Sequence, residues 1–411
     1  MSASLSVNSK RDSAGDRDYS VRAIHSVVPL AGSPPNALLL LDDDLLNYLI
    51  CIIRNTPSVP PQRTAEEWDN LLTLLRPHGI YPLLAFHLKG WDEEYRPPEK
   101  VMEYLSQALI SGCVRNLRNG IQVQKITNAL EEAGIPGIVL KGHALARTVY
   151  KDPAIRHSSD IDILVKPEDI PRCEPVFEVL GYSCPEKSFK TSRYSTNHQI
   201  FYPQKKGLVV ELHWTTDHIY NLFSPGWLDY AFENRIKISS DDLTCYTLDP
   251  VSHLTFLAFH HVFHHYFMRL DWICDIAGLM KSLSYPDEWE KLRSTCVSNH
   301  IRIPLEIALT AGSFWSGYEI PGEFSDFSGW EPASPHEEKL WRYDSTRKSS
   351  LSSGLLLEVQ GMPTAREKVR CYYRFIFPHQ EILRKYRKSE SRTDIPMAHL
   401  RRWLTLKNYK F

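Results

Sequence analysis

The chain has 411 residues, of which 43% are hydrophobic and 11% aromatic, enough for two or three domains with packed cores. Its formal net charge of −1 argues against a nucleic-acid partner, and no apolar run reaches the roughly 18 residues that span a bilayer. Eight dispersed cysteines without a CxxC pair, and a polar start without a signal-peptide core, predict a cytoplasmic protein with reduced thiols and no membrane partner.

The first third of the chain is predicted to be a disordered segment followed by helices. Residues 1–35 are rich in Ser, Asp, Arg and Pro and are expected to be disordered. Residues 36–135 show helical periodicity. The clearest amphipathic stripe comprises Leu105, Leu109, Leu117, Ile121, Ile126 and Leu130. This region is therefore predicted to be helical.

Residues 136–215 alternate short strands and helices. Strands are predicted over residues 138–140, 160–165, 198–202 and 208–214, and helices over residues 143–150 and between Pro167 and Gly181. The alternation predicts a small sheet with helical connections.

The last region, residues 216–411, is predicted to be mainly helical, and its strongest segment, residues 250–283, is predicted to be one helix. A polar stretch near residues 317–353 is interpreted as a surface connection. A basic run follows over residues 384–402. It is interpreted as a solvated helix face, with a patch for RNA or an acidic partner as the alternative.

The strand at residues 160–165 carries the most informative pattern. Period two puts Asp160 and Asp162 on one face, with Ile161 and Ile163 on the other. Like charges this close repel unless a cation lies between them, and paired carboxylates commonly hold Mg²⁺ over phosphate oxygens. The alternative is an acidic strand end that faces solvent.

A third carboxylate, Glu211, lies in the apolar strand at residues 208–214. If this strand neighbours the first, Glu211 joins Asp160 and Asp162, and three carboxylates can hold two Mg²⁺ ions. Alone, Glu211 is equally consistent with a salt bridge to a basic neighbour.

Lys141 and Gly142 form the turn between a strand and a helix. Glycine permits close backbone approach, and the helix N-terminus offers free N–H groups to phosphate. His143 stands where a P-loop requires lysine, which excludes a P-loop ATPase. An ordinary strand-to-helix turn is the alternative. Arg156 is predicted either to bind the same phosphates or to pair with an aspartate.

Histidines mark the predicted helix at residues 250–283. His261, His265 and Arg269 follow one another at four-residue steps and would share a helix face. The missing HExxH motif and the cationic Arg269 argue against zinc. A packed helix face or contact with a nucleotide is the preferred interpretation.

The order of these motifs resembles the uncharacterised nucleotidyltransferase family of the polymerase beta-like nucleotidyltransferase superfamily. The resemblance covers about residues 100–285 and is most specific in its middle third. It is carried by Gly134-Ile135, Val139-Leu140-Lys141-Gly142, Leu145, Tyr150, Asp152-Pro153, Arg156, Ser159-Asp160-Ile161-Asp162-Ile163-Leu164-Val165, Gly181-Tyr182, Glu211-Leu212-His213-Trp214, His261, His265, Arg269-Leu270, Trp272 and Asp275. The chain departs from the superfamily's Gly-Ser turn by carrying Gly142-His143.

The resemblance implies roles for individual residues. Asp160, Asp162 and Glu211 would be the catalytic and metal-binding carboxylates. The expected nucleotide-binding residues are Lys141, Gly142, Arg156, Ser159 and Arg269.

We therefore expect an α+β fold. Its small mixed β-sheet nucleotidyltransferase core, with helices on one face, would lie between helical N- and C-terminal regions. The expected enzyme moves an NMP from an NTP, ATP in particular, to a hydroxyl or phosphate of an undefined acceptor: a small molecule, a peptide or a protein. It releases pyrophosphate and uses Mg²⁺ or Mn²⁺. The alternative is a catalytically inactive nucleotide-binding regulator or scaffold.

Overall fold

The computed structural model describes residues 41–184, 198–215, 226–240, 242–264 and 269–338, together with Phe223, Trp341, Met397 and Arg401. The segment predicted to be disordered, and most of the basic run near the C-terminus, lie outside these residues.

Among the residues that the structure describes, four α-helices precede the sheet: α1 (Asp43–Arg54), α2 (Ala65–Leu75), α3 (Tyr81–Lys89) and α4 (Glu99–Glu132). Local sequence explains where two of them begin. The Asp42 side chain accepts a hydrogen bond from the Leu45 amide, and Thr64 and Glu67 form a capping box at the start of α2.

The apolar stripe predicted on α4 is only partly correct. Leu105, Ile126 and Leu130 are buried, but the side chains of Leu117 and Ile121 are 54% and 58% exposed. The middle of the helix instead buries a small and polar face. There Asn116 donates hydrogen bonds from Nδ2 to the carbonyl oxygens of Pro153 and Arg156, at 2.7 and 3.0 Å.

The buried middle of α4 is polar because it packs against the backbone of a loop rather than against side chains. A Cβ on Gly112 would lie 3.0 Å from the Ala154 carbonyl oxygen, so the loop before the second strand approaches the helix closely. Loop carbonyls that leave water need hydrogen-bond donors, and a hydrophobic pattern cannot reveal such a face.

Five strands form a mixed sheet: β1 (Gly137–Val139), β2 (Asp160–Val165), β3 (Tyr182–Ser183), β4 (His198–Pro203) and β5 (Val209–His213). The order is β1-β2-β5-β4-β3, and of these pairs only β2 and β5 are parallel. Helices α5 (Lys141–Thr148) and α6 (Ile170–Val179) lie between the early strands. The predicted α+β class with a small mixed sheet is confirmed.

The two faces of the central strands differ in chemistry. Ile161 and Ile163 of β2, with Leu212 of β5, face a core that includes Ile126 of α4 and Phe177 of α6. The opposite face carries Asp160 and Asp162, and further along it Leu164 joins the larger helical core. The carboxylates therefore lie between the sheet and the helical part of the molecule.

In the described part of the chain, a hairpin and six α-helices follow the sheet. They are α7 (Trp227–Glu233), β6 (Ile236–Ser239), β7 (Thr244–Thr247), α8 (Pro250–Phe259), α9 (Leu270–Ser282), α10 (Asp287–Ser298), α11 (Arg302–Ser316) and α12 (Gly322–Ser325). The β6–β7 hairpin was not predicted. It is joined to the main sheet by a hydrogen bond from Thr247 Oγ1 to the Val139 carbonyl oxygen, at 2.7 Å.

The prediction of one continuous helix over residues 250–283 is wrong. After α8 the chain forms a π-helical turn, His260–His264, and Arg269 is extended, with φ −132° and ψ 135°. The Arg269 guanidinium binds Asp271 through both Nε and Nη2. Residues two apart do not face each other on a helix, so this bidentate pair requires the extended backbone. The predicted stripe therefore does not form, and His265 lies outside the described residues.

Residues 317–338, the continuous described part of the predicted surface connection, contain α12, a 3₁₀ turn at Phe327–Gly329 and an α-helical segment at residues 335–338. They are held to the helical core by the buried side chains of Phe324 and Trp330. None of the helices within the described residues is long and apolar enough to cross a membrane.

Candidate active site

The site is organised around Asp162, a buried carboxylate between two basic side chains. Lys141 Nζ lies 2.8 Å from Asp162 Oδ1, and His213 Nε2 lies 3.1 Å from the same oxygen. Burial opposes ionisation of Asp162, but Lys141 and His213 hold the pKa of its carboxyl well below its usual value. Asp162 is therefore ionised at neutral pH.

Glu211 lies beside Asp162 because β2 and β5 are parallel and in register. The two residues are direct cross-strand partners, and Glu211 Oε2 lies 3.5 Å from His213 Nε2. This hydrogen bond lowers the pKa of Glu211 against the opposing effect of burial. With 27% of its side chain exposed, Glu211 is more accessible than Asp162, at 3%.

Asp160 begins β2 on the same face, level with Val209 of β5. Burial and the neighbouring charge of Asp162 raise the pKa of Asp160. Its backbone carbonyl accepts a hydrogen bond from Ser158 Oγ at 2.9 Å. Two aspartates of one strand thus have pKa values shifted in opposite directions.

Lys141 supplies positive charge to this group of carboxylates. Burial acts to lower the pKa of Lys141, but the charges of Asp162 and Asp160 outweigh it and the pKa lies above its usual value. The ammonium group also lies 3.2 Å from His260 Nε2 in the π-helical turn. Lys141 therefore connects the sheet to the helical region that follows it.

The turn at Lys141 and Gly142 is tight. Lys141 has φ 37°, and Gly142 has φ 15° and ψ −86°, outside the helical range. A Cβ on Gly142 would overlap Ser158 Oγ and lie 2.6 Å from Ser158 Cβ. Glycine is required here because the segment before β2 packs directly against the turn.

His143 follows this turn and is buried. Within the described residues neither ring nitrogen makes a hydrogen bond. Burial, with the charges of Arg147 and Arg156, lowers the pKa of His143 to about 4. A neutral imidazole therefore stands directly after Gly142 in this turn.

Arg156 forms a buried ion pair. Its Nη2 lies 2.7 Å from Asp275 Oδ2 and its Nη1 lies 3.1 Å from Asp271 Oδ2, both on α9. Burial opposes the charge of Arg156, yet Asp275 and Asp271 raise its pKa well above the usual value. Its partners are therefore these two aspartates of α9, and binding to phosphate stays a prediction.

The other two predicted nucleotide-binding residues lie at the edge of this arrangement. Ser159 is exposed immediately before β2. Arg269 binds Asp271, and its guanidinium lies 5.1 Å from the centre of the Trp272 ring. The ring of His261 stacks on the Trp272 ring, with 4.8 Å between the ring centres. A role for Ser159 or Arg269 toward a nucleotide stays a prediction.

The sequence interpretation missed two histidines beside the carboxylates. His213 follows Glu211 by two residues, so period two already puts both on one face of β5. His198 is the cross-strand partner of His213, and their ring centres are 5.1 Å apart. The spacing of residues within β5 could have revealed His213. The position of His198 could be known only from the register of β4 against β5.

The donors of Asp162, Glu211 and His213 fit a divalent cation. One ligand atom from each residue lies within 4.8 Å of the others. Two carboxylates and an imidazole are ordinary ligands for divalent metal ions, and a buried cation would offset the repulsion between the acidic groups.

Comparison with known proteins gives a family match and distant similarities to solved structures. The family model described as "Uncharacterised nucleotidyltransferase" matches residues 64–311, more than half of the chain. The antibiotic-resistance factor ANT(2'')-Ia is 15% identical, with a TM-score of 0.32 over 43% of this chain and 89% of that one. An antigenic nucleotidyltransferase-like protein from Paracoccidioides brasiliensis is 15% identical, with a TM-score of 0.29 over 47% and 93% of the two chains.

At TM-scores this low, neither structural similarity says anything about the activity of this chain. No curated protein matches it in sequence.

Proposed function

Because the chain belongs to the uncharacterised nucleotidyltransferase family, we propose that it is a metal-dependent enzyme that transfers an NMP from an NTP to a hydroxyl or phosphate of an acceptor. The observation that carries this proposal is the cluster of Asp162, Glu211 and His213 beside the Lys141–Gly142 turn. A buried group of carboxylates next to a glycine turn suits a bound cation and a triphosphate.

The reaction we propose is a displacement at the α-phosphorus. The acceptor oxygen forms a new P–O bond, the bond to the β-phosphate oxygen breaks, and pyrophosphate leaves with the electron pair. Mg²⁺ or Mn²⁺, when bound, would stabilise the charge that develops on the phosphate oxygens and the attacking oxygen.

Individual residues would divide this work. Asp160, Asp162 and Glu211 hold the cations. Glu211, which is ionised and more accessible than Asp162, accepts the proton or orients the acceptor. Lys141 and the amides near Gly142 neutralise the triphosphate, and Ser159 and Arg269 contribute to nucleotide binding. The acceptor would be a small molecule, a peptide or a protein.

A second candidate function is a catalytically inactive nucleotide-binding regulator. The observation that favours it is buried, neutral His143 in place of the superfamily's serine hydroxyl. Without that hydroxyl, nucleotide can bind while the γ-phosphate is held less well.

The test is incubation of the full chain with each NTP, Mg²⁺ or Mn²⁺ and cell extract. Pyrophosphate release and NMP transferred to any acceptor would be measured by mass spectrometry. We expect both products with the unaltered protein, neither with Asp162→Asn, and both with Asp229→Asn. Asp229 pairs with Lys166 at the surface and serves as the matched control.

One outcome would contradict the proposed activity, and another would contradict the proposed role of Asp162. Nucleotide binding without pyrophosphate under every condition would favour the regulator. Undiminished transfer by Asp162→Asn would remove Asp162 from the proposed site.

A further inference from the structure

We infer that His213 is a direct nitrogen ligand of the cation in this site and that the site therefore binds Mn²⁺ more tightly than Mg²⁺. The inference rests on the proposed function, because it refines the ligand set of the same metal site. The carboxylates alone would offer the ion only oxygen ligands, and His213 adds a nitrogen ligand.

The spacing of the donor atoms supports direct coordination. His213 Nε2 lies 3.1 Å from Asp162 Oδ1 and 3.5 Å from Glu211 Oε2. In an octahedral complex, adjacent ligand atoms about 2.1 Å from the ion are separated by about 3 Å. The two distances from His213 Nε2 are close to that value, and the three ligand atoms lie within 4.8 Å of one another, so one ion could contact all of them after side-chain adjustments.

The position of the imidazole is set by the sheet. His213 ends β5 next to Leu164 of β2, its side chain is buried, and the ring of His198 lies against it. The same nitrogen, Nε2, lies closest to both carboxylates. A ligand held in this way loses little conformational freedom when an ion binds.

The chemistry of the ligand decides the preference among metals. Mg²⁺ takes oxygen ligands and keeps much of its water, whereas Mn²⁺, a transition-metal ion, accepts an imidazole nitrogen more readily than Mg²⁺ does. We therefore expect the site to bind Mn²⁺ more tightly than Mg²⁺.

The competing role for His213 is a hydrogen bond that positions the Asp162 carboxylate without contacting the ion. The two roles differ in one observable. A coordinated imidazole nitrogen couples magnetically to bound Mn²⁺, whereas a nitrogen that only holds a carboxylate does so far more weakly.

The experiment uses the full chain, stripped of metal with a chelator and titrated with Mn²⁺. Electron paramagnetic resonance gives the affinity, competition with Mg²⁺ gives the preference, and electron spin echo envelope modulation detects a coordinated nitrogen. We expect a ¹⁴N coupling that becomes a ¹⁵N coupling when histidine is ¹⁵N-labelled. His213→Gln should lose it and weaken Mn²⁺ binding by about 10–100-fold. His198→Gln, the matched control, should keep the coupling.

Each contrary outcome has a separate meaning. Bound Mn²⁺ without nitrogen coupling, or coupling that survives His213→Gln, would overturn this inference and leave the proposed metal-dependent reaction standing. Equal affinity for Mg²⁺ and Mn²⁺ would overturn the stated preference. Absence of binding by either metal, with or without ATP, would overturn the metal site of the proposed function as well. If His213→Gln does not fold, absence of the ¹⁴N coupling in the unaltered protein still overturns the inference, and persistence of the coupling in His198→Gln excludes the neighbouring ring.

Discussion

At the scale of single residues, β2 holds two aspartates in opposite electrostatic environments. Asp162 lies against Lys141 and His213, and its pKa is lowered despite burial. Burial and its charged neighbour Asp162 raise the pKa of Asp160. Without bound metal, the charge on Asp162 therefore stabilises the fold, whereas the charge on Asp160 destabilises it.

We expect the Asp→Asn substitutions at these positions to change stability in opposite directions. Asp162→Asn leaves the buried Lys141 without its partner, and breaking such a pair costs about 3–5 kcal/mol. Asp160→Asn removes repulsion and should stabilise the metal-free protein by about 1 kcal/mol. Urea denaturation of both variants at pH 7 with a chelator present measures the difference.

Considered alone, the repulsion between Asp160 and Asp162 would predict that Asp162→Asn raises stability. The Lys141 contact reverses that expectation. A destabilising Asp160→Asn, or an Asp162→Asn variant as stable as the unaltered chain, would show that these charges do not interact as described.

Gly142 provides a second prediction at the residue scale. Gly142→Ala should destabilise the protein by about 1–3 kcal/mol, because the new Cβ would overlap Ser158 in a tightly packed turn. Gly137→Ala is the control, since a Cβ there would lie 3.4 Å from Leu130 Cδ1, an ordinary contact. Thermal denaturation of the two variants compares them, and equal losses would contradict the steric explanation.

At the scale of elements, the start of α11 depends on an acidic residue from a distant segment. Glu337 is fully buried, and its Oε1 accepts a hydrogen bond from the Ile303 amide at 2.6 Å. Burial raises the pKa of Glu337 to about 7, against the opposing hydrogen bonds of the Ile303 and Ser334 amides. Helix α11 thus begins at a carboxyl group that titrates near neutral pH.

The raised pKa of Glu337 predicts a loss of stability with rising pH. Its folded pKa lies above the usual 4.5, so its contribution is fully present below about 4.5 and is lost as pH rises through about 7. The loss is up to about 3 kcal/mol, at about 1.4 kcal/mol per pKa unit. Glu337→Gln should equal the unaltered chain in stability near pH 5 and exceed it at pH 8.

Denaturation of both proteins across this range provides the measurement. Histidines with lowered pKa values act in the opposite direction, so the informative quantity is the difference between the two proteins at each pH. A constant difference would refute the assignment to Glu337.

At the scale of the whole molecule, buried charges join the sheet to the helices that follow it. Arg156, in the segment before β2, binds Asp271 and Asp275 of α9. Tyr150 donates a hydrogen bond to Asp275 at 2.7 Å, and Asn116 of α4 holds the backbone of Arg156. Separate parts of the chain thus meet around Arg156 and its partner Asp275.

We expect Arg156→Met to destabilise the protein by about 3–5 kcal/mol, because Asp275 would remain buried without its cation. Lys166→Met, which removes the surface pair with Asp229, is the control and should cost less than about 1 kcal/mol. Guanidinium denaturation measures both. An Arg156→Met variant of normal stability with lost ATP affinity would instead support the phosphate-binding role predicted from sequence.

The sequence by itself determined the local features of this protein. The alternation of Asp160 and Asp162 with isoleucines defines a strand with one acidic face, and the Lys141–Gly142 turn follows from its position between a strand and a helix. These features depend on residues within a few positions of one another. The order of the motifs also sufficed to identify the family, which the family match confirms.

Only the tertiary structure decided which groups meet. Lys141 neutralises Asp162, Arg156 pairs with α9, and His198 lies against His213 because strand register and helix packing bring distant residues together. The polar buried face of α4 and the break before Arg269 arise in the same way. Periodicity reports the average burial of a segment, whereas an ion pair or a buried carbonyl depends on a partner elsewhere in the chain.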